Sequence, residues 1–376
     1  MSSQKENVMG RFPSALGCLA ALFIVTGCAA SQGAGLVPAS ASSDLQRGGP
    51  DTGSSVVEFK FQSSGIEYLA SDVAGNEWFG TADPLAIVSI DEHTGAFTQY
   101  NLPKSYSGPF GLTMNPQHDV LWFTEPGSNS IGYINLLNDT FGQFTIPTKN
   151  SNPEDISPGP GNAMWFTENG SGKIGRIDTI THAISKYKVP APSEPFQIAL
   201  GPDGALWFTN LRSIGRITTH GHVKLYSIGQ NNPTGITTGP DGAVWFTGES
   251  DRGGGMVGRI APATHVRKIA KYGAGHGGNE GITARDGDLW MTEFQGNRID
   301  RYDPPTHIVL SRPLPQGYSP PYGIALGADD QLWFANAGPM TTAIGKLCPD
   351  LQAGQCKSAM DAVSHGGIGP SFGEEH

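Results

Sequence analysis

Seven tryptophans, Trp78, Trp122, Trp165, Trp207, Trp245, Trp290 and Trp333, are all the tryptophan in the chain, and they are separated by 44, 43, 42, 38, 45 and 43 residues. Each lies in a pattern close to G-I-x-x-G-P-D-G-A-L-W-F-T-E followed by I-G-R-I. A residue this scarce does not recur so evenly unless the unit around it is a structural repeat. A period of roughly 40 to 45 residues is that of a four-stranded propeller blade. The spacing therefore predicts an all-β chain, a seven-bladed β-propeller of four-stranded blades. Abundant Gly (52) and Pro (28) with only 15% charged residues agree with a protein of many tight turns.

Four strands, A to D, are expected per repeat. Strand A carries G-I-T, as in Gly235-Ile236-Thr237, and turns into strand B through P-D-G, as in Pro202-Asp203-Gly204. Pro presets φ, Asp bonds the turn backbone and Gly takes positive φ. Strand B is A-L-W-F-T, apolar on both faces because blades stack on both sides. Strand C is I-G-R-I, whose glycine is expected to let neighbouring blades approach. The Trp ladder reads as interblade packing, and the recurring arginines Arg176, Arg216, Arg259 and Arg301 as structural. After Ala343-Ile344-Gly345-Lys346-Leu347 the last repeat lacks a final strand, and residues 56 to 61 resemble one. The N-terminal strand is therefore expected to close the ring on the C-terminal blade, leaving no mismatched edge.

The first residues read as an address. Lys5 and Arg11 precede an apolar run from Ala15 to Val25, which ends in Val25-Thr26-Gly27-Cys28. That ending resembles a bacterial lipobox. It implies a lipoprotein signal peptide over 1–27 and lipidation at Cys28; the alternative is an ordinary cleaved signal peptide cut near Ala29-Ala30. Either places the mature chain outside the cytoplasm, in the cell envelope. With Ala after Cys28, the resemblance favours the outer membrane where the cell has one. Residues 28–54 read as a flexible tether, 55–348 as the propeller and 349–376 as a C-terminal tail. In an oxidising compartment Cys348 and Cys356 are expected to form a disulfide, and they offer too few ligands for zinc. A net charge of −10 argues against a nucleic-acid partner. The expected contacts are a small or peptidic ligand and, through lipid, a membrane; a monomer is expected.

Chemistry is sought where the repeat is broken, over the channel, where strands A begin and strands B end. The beginnings of strand A include Phe110, Glu154, Phe196, Glu280 and Tyr322; the ends of strand B include Glu125, Glu168 and Glu293. Phe110, Phe196 and Tyr322 are candidate ligand contacts. Blades three and six carry Glu at both places, giving the candidate pairs Glu154 with Glu168 and Glu280 with Glu293. Such pairs could bind Mg²⁺ or Ca²⁺, or raise one another's pKa for acid or base work. The plainer reading makes the strand B glutamates a repeat feature bonding the B to C turn. His276, in a Gly-rich connection before Glu280, could act as a general base beside it, or be an exposed loop residue. His93, His182, His220, His222, His265 and His307 fall in C to D turns and are expected to be solvated.

The repeat G-P-D-G-A-L-W-F-T-E with I-G-R-I resembles the streptogramin B lyase family, also called virginiamycin B lyases, over about residues 56 to 347. The resemblance implies a seven-bladed propeller and a Mg²⁺-dependent elimination that opens a cyclic depsipeptide at its ester bond. The family begins its last blade with Glu-Pro-His-Gly-Ile, His as base and Glu on metal, with a second metal-binding Glu shortly after that blade's Trp. Here the matching stretches are Pro320-Pro321-Tyr322-Gly323-Ile324 and Trp333-Phe334-Ala335-Asn336-Ala337. One blade earlier, Glu280 stands where the family has a substrate-contacting His. The leading expectation is a lipid-anchored, lyase-like propeller that binds a ligand over its channel, with the family reaction lost or altered. The alternatives are a lyase or lactone or ester hydrolase relocated to Glu154, Glu168, Glu280, Glu293 and His276, and an envelope interaction scaffold.

Overall fold

Strands B are covered on both faces because each blade stacks between two others. The computed structural model describes residues 47–50, 55–61, 63–251, 253–265, 267–272, 278–315, 320–336 and 342–349. Within them, seven antiparallel sheets are ordered A-B-C-D from the axis outward. Blade one is Ala70–Ser71, Asn76–Ala82, Leu85–Asp91 and Phe97–Asn101; blade two Leu112–Met114, Val120–Glu125, Ser130–Asn135 and Thr140–Thr145. Blade three is Pro153–Gly159, Ala163–Glu168, Lys173–Asp178 and Ile184–Lys188; blade four Ile198–Leu200, Leu206–Asn210, Ser213–Ile217 and Val223–Ser227. Blade five is Asn232–Thr238, Val244–Glu249, Gly255–Ile260 and Arg267–Tyr272; blade six Asn279–Arg285, Asp288–Glu293, Arg298–Asp303 and Ile308–Pro313. Blade seven has Pro321–Leu326, Leu332–Asn336 and Thr342–Cys348, and Ser55–Phe61 pairs antiparallel with the last as its outer strand. The predicted closure is thus observed. Strand A of blade seven also packs on strand A of blade one, so the ring returns to its start.

The Trp ladder is the interblade core. Trp78 packs with Phe123 of the next blade, Trp122 with Phe166, Trp165 with Phe208, Trp207 with Phe246, Trp245 with Met291, Trp290 with Phe334, and Trp333 with Phe79 across the closure. Removing one such buried phenyl ring costs about 3–5 kcal/mol. The I-G-R-I glycine has a different cause from the expected one. It faces the Phe of its own strand B: a Cβ on Gly132, Gly175, Gly215, Gly258 or Gly345 would lie 2.0–2.1 Å from that ring.

The turn Asp and strand C Arg hold the Trp from outside. Asp203 accepts from Trp207 Nε1 at 2.9 Å and from Arg216 Nε at 2.7 Å, and the guanidinium sits 5.9 Å from the indole centre. Asp241, Trp245 and Arg259 repeat the arrangement. The recurring Arg is structural, and Lys346 takes its place over Trp333. The turn histidines are exposed as expected, save half-buried His265; two of them also stack on the preceding blade, His182 on Phe144 at 4.3 Å and His265 on Tyr226 at 5.1 Å.

Arg47–Pro50, inside the span expected as tether, pairs in parallel with Ile308–Pro313 of blade six. Cys348 is buried and disulfide-bonded; its expected partner Cys356, like Cys28 and His276, lies outside the described residues. No helix among the described residues is long and apolar enough to cross a membrane.

Candidate functional site

The mouth of the channel is built by the threonine of W-F-T. In blade two, Thr124 Oγ1 accepts from Gly111 N at 3.0 Å and donates to Glu154 O of blade three at 2.8 Å. Thr167 links Asp155 N (3.0 Å) to Phe196 O (2.7 Å), and Thr209 links Gln197 N (2.9 Å) to Thr234 O (3.0 Å). Thr292 does the same between Gly281 N and Tyr322 O. Gly323 N donates to Glu67 O of blade one at 2.8 Å, which continues the ring across the closure. These bonds fix the rim residues Glu67, Glu154, Phe196, Thr234 and Tyr322; Phe110, whose N donates to Thr124 O at 3.0 Å, and Glu280 take the same place in their blades, and Thr247 of blade five is buried without a hydrogen bond.

In blades three, five, six and seven the A to B register shifts at that position, between Pro153 and Ile156, Pro233 and Ile236, Asn279 and Ile282, and Pro321 and Ile324. A bulge frees the rim residue from the pleat and re-aims its side chain. In blades two, five, six and seven the next residue is Gly, because a side chain there would strike the adjoining strand A; for Gly111 the added Cβ would sit 2.4 Å from Glu154 O. Blades one, three and four carry Tyr68, Asp155 and Gln197 instead.

The rim gathers three carboxyl groups. Burial pushes Glu67 up to about 7. Glu154 is raised to about 7 by burial, opposed by the Asn152 amide and reinforced by Glu67. Glu280, 4% exposed, is raised to about 8 by burial, then by Glu249 and Glu67. Behind them Asp155 is raised to about 7 by burial although it accepts from Ile198 N and Ile156 N, both at 2.9 Å. Tyr68 lies edge-on to both Phe110 and Tyr322, ring centres 5.3 Å apart in each case, and Tyr322 edge-on to Phe294 at 6.0 Å. Burial, and the carboxylates around Tyr322, hold both phenols well above their usual range. The Tyr68 hydroxyl lies near Gln197, and the Tyr322 hydroxyl near Tyr68, yet neither meets hydrogen-bond geometry.

The expected carboxylate pairs are not formed. Glu168 stands opposite Pro153 in the register, so it shares Pro153's face and not that of Glu154; its Oε2 accepts from Ser171 Oγ at 2.9 Å. Glu293 stands opposite Asn279 and pairs with Arg298 at 3.0 Å. Glu125 accepts from Ser107 N and Gln143 Nε2. The strand B glutamates thus serve their own blades, the plainer of the two readings. Glu154 and Glu280 instead lie within the electrostatic reach of Glu67. Glu67 and Tyr68 escaped sequence reasoning because blade one has only Ala70–Ser71 as strand A and no P-D-G turn. Counting back from Trp78 would have found them: rim residues lie 10 to 12 positions before their Trp in every blade.

The residues do not fit the Mg²⁺ that the resemblance implies. Where two carboxylates are required, blade seven offers Pro320, which has no side-chain donor, and the buried, uncharged Asn336 amide. Nor is any group of three or more His, Cys, Asp or Glu among the described residues arranged to hold a metal ion, so Glu154, Glu168, Glu280 and Glu293 do not form the expected ligand set.

The sequence profile of the virginiamycin B lyase family matches residues 29–231 and 180–355. Among solved structures, a streptogramin B lyase is 31% identical with a TM-score of 0.71, covering 78% of this chain and 97% of its own. A catalytically inactive virginiamycin B lyase from Staphylococcus aureus, solved with quinupristin, is 32% identical with a TM-score of 0.71 over 78% of this chain and 99% of its own. Hydrazine synthase from Kuenenia stuttgartiensis, 15% identical with a TM-score of 0.63 over 76% of this chain and 96% of its own, shares the fold alone. No curated protein matches.

Proposed function

The chain belongs to the virginiamycin B lyase family, and from that premise we propose a lyase-like propeller that binds a small or peptidic ligand over its channel and has lost the family's route of elimination. The observation that carries this is Tyr322. It occupies the place of the family's base, enclosed by Tyr68 and Phe294, with its phenol held well above 10. A base must be largely unprotonated at the working pH to accept a proton, and this phenol is not. Ala335 and Asn336 supply no charge where the second carboxylate is expected.

What the mouth retains suits binding. Aromatic side chains alternating with a few polar groups around a channel mouth are the lining that small-ligand sites use. The neighbour solved with quinupristin is an inactive enzyme, and a ligand held without turnover is what we propose for this chain. Lipid on Cys28 would hold the propeller outside the cytoplasm, where such ligands arrive. Metabolic labelling with an alkynyl fatty acid tests that anchor, and loss of label in Cys28→Ala is the expected result.

The test of function is incubation with a streptogramin B and Mg²⁺, with ring-opened product followed by mass spectrometry. No opening beyond the protein-free rate is expected. Opening that Glu280→Ala abolishes would overturn the reading.

One observation favours a second reading, a lactone or ester hydrolase. Glu280 titrates at about 8, a pKa suited to exchanging protons near neutrality. Turnover of a chromogenic ester that disappears in Glu280→Gln would establish it.

A further inference from the structure

We propose that the channel mouth selects organic cations: a protonated aliphatic amine seated among Glu67, Glu154 and Glu280, on an apolar body that lies against Phe110, Phe196 and Tyr322. This rests on the reading of the mouth as a ligand site and names the class of ligand.

The arrangement around the ring carries the argument. The three carboxyl groups belong to blades one, three and six, as evenly spread as a seven-membered ring permits. Between them stand Phe110, Phe196 and Tyr322 of blades two, four and seven, and Thr234 of blade five. Glu67 disfavours ionisation of Glu154 and of Glu280, whereas one cation on the axis is attracted to all three. No Lys or Arg among the described residues pairs with any of them, although Arg298, Lys271 and Lys346 all pair with carboxylates elsewhere. Asp155 and Glu249, the other carboxyl groups near this cluster, add charge of the same sign.

The two tyrosine hydroxyls are an independent sign. Tyr68 is 8% exposed and Tyr322 is 5% exposed, both hydroxyls are buried without a hydrogen bond, and Tyr322 lies within the field of all three rim glutamates. A buried hydroxyl left unmatched costs about 1–3 kcal/mol, and a cation seated above the two phenols would orient their oxygen dipoles toward it and offset part of that cost.

The rings decide what kind of cation fits. Mg²⁺ or Ca²⁺ needs a close cage of oxygens at about 2.0–2.6 Å. Carboxylates on separate blades with aromatic rings between them do not form one. An alkylammonium does not need a cage: its charge is attracted to ring faces and its carbon skeleton to the rest of the wall. The overall charge of −10 raises the rate at which cations arrive.

The full chain is titrated calorimetrically at about pH 8.5, where rim carboxylates ionise and amines remain charged. The probes are 2-phenylethylamine and its neutral counterpart 2-phenylethanol, and melting curves verify that each variant folds. We expect the amine to bind at least about ten-fold more tightly than the alcohol. That preference should vanish in the Glu67→Gln, Glu154→Gln, Glu280→Gln triple variant and shrink in Glu280→Gln alone, which serves if the triple variant does not fold. Phe196→Ala should weaken both probes. Equal binding of amine and alcohol, still dependent on Phe196, would refute the cation class and leave the mouth as a ligand site. No binding of either probe, or binding indifferent to every substitution, would refute both.

Discussion

Glu280→Gln should make the propeller more stable, and increasingly so as pH rises. The carboxyl group is raised from 4.5 to about 8 by burial, with Glu249 and Glu67 adding to it. At 1.36 kcal/mol for each pH unit, ionising it in the folded chain costs about 5 kcal/mol, an upper bound because water entering the mouth relieves part of the cost. The unfolded chain releases this proton near 4.5 and the folded chain near 8. Between those values the folded state binds more protons, so the carboxyl's contribution is intact below the lower value and is lost as pH rises through the upper one. Glutamine cannot ionise. The variant should match the parent near pH 5 and exceed it by about 2–5 kcal/mol at pH 9. Denaturant unfolding at pH 5, 7 and 9 measures this. A difference independent of pH, or a variant less stable at pH 9, would refute the electrostatic account of the rim.

Thr167→Val removes a hydroxyl that links Asp155 N to Phe196 O, leaving both backbone groups unmatched between blades. A loss of about 2–4 kcal/mol is expected by denaturant unfolding. Gly215→Ala forces a methyl to 2.0 Å from the Phe208 ring and should cost about 1–3 kcal/mol, part of which Phe208→Leu in the same chain should restore. Deleting residues 55–61 exposes the whole of Thr342–Cys348 as an edge and uncovers Trp333, on which Phe59 stacks at 5.5 Å. Aggregation or strand exchange between copies, seen by size-exclusion chromatography with light scattering, is the expected outcome.

Much of the molecule was legible in the order of its residues. The blade count, the register of strands B and C, the structural Arg and the closing strand all follow from a repeat tied to Trp. Each of those features depends on contacts within a blade or on the identical contact between neighbours. The strand C glycines were located correctly but for the wrong neighbour, because a sequence shows that space is needed and not which side chain fills it. The turn histidines were placed correctly, yet the stacking of His182 and His265 on the preceding blade was not visible.

The site was legible only in part. Glu154 and Glu280 stood out by breaking the repeat, and they do lie on the rim. Pairing them with Glu168 and Glu293 followed closeness along the chain, but in a strand pair closeness in sequence does not decide which face a side chain takes. The one-residue offset from Pro153, with the bulge beside it, sends Glu154 to the rim while Glu168 stays on the face of Pro153.

The sequence by itself determined the ring, because a period is a local property repeated along the chain. Only the tertiary structure decided who meets at its mouth. Glu67, Glu154 and Glu280 come from blades one, three and six, and it is closure of the ring that brings them into one low-dielectric recess, where burial raises all three and the charge of Glu67 adds to the rise of the other two. That electrostatic coupling depends on distance through space and on exclusion of water, and neither is written in the spacing of residues along the chain.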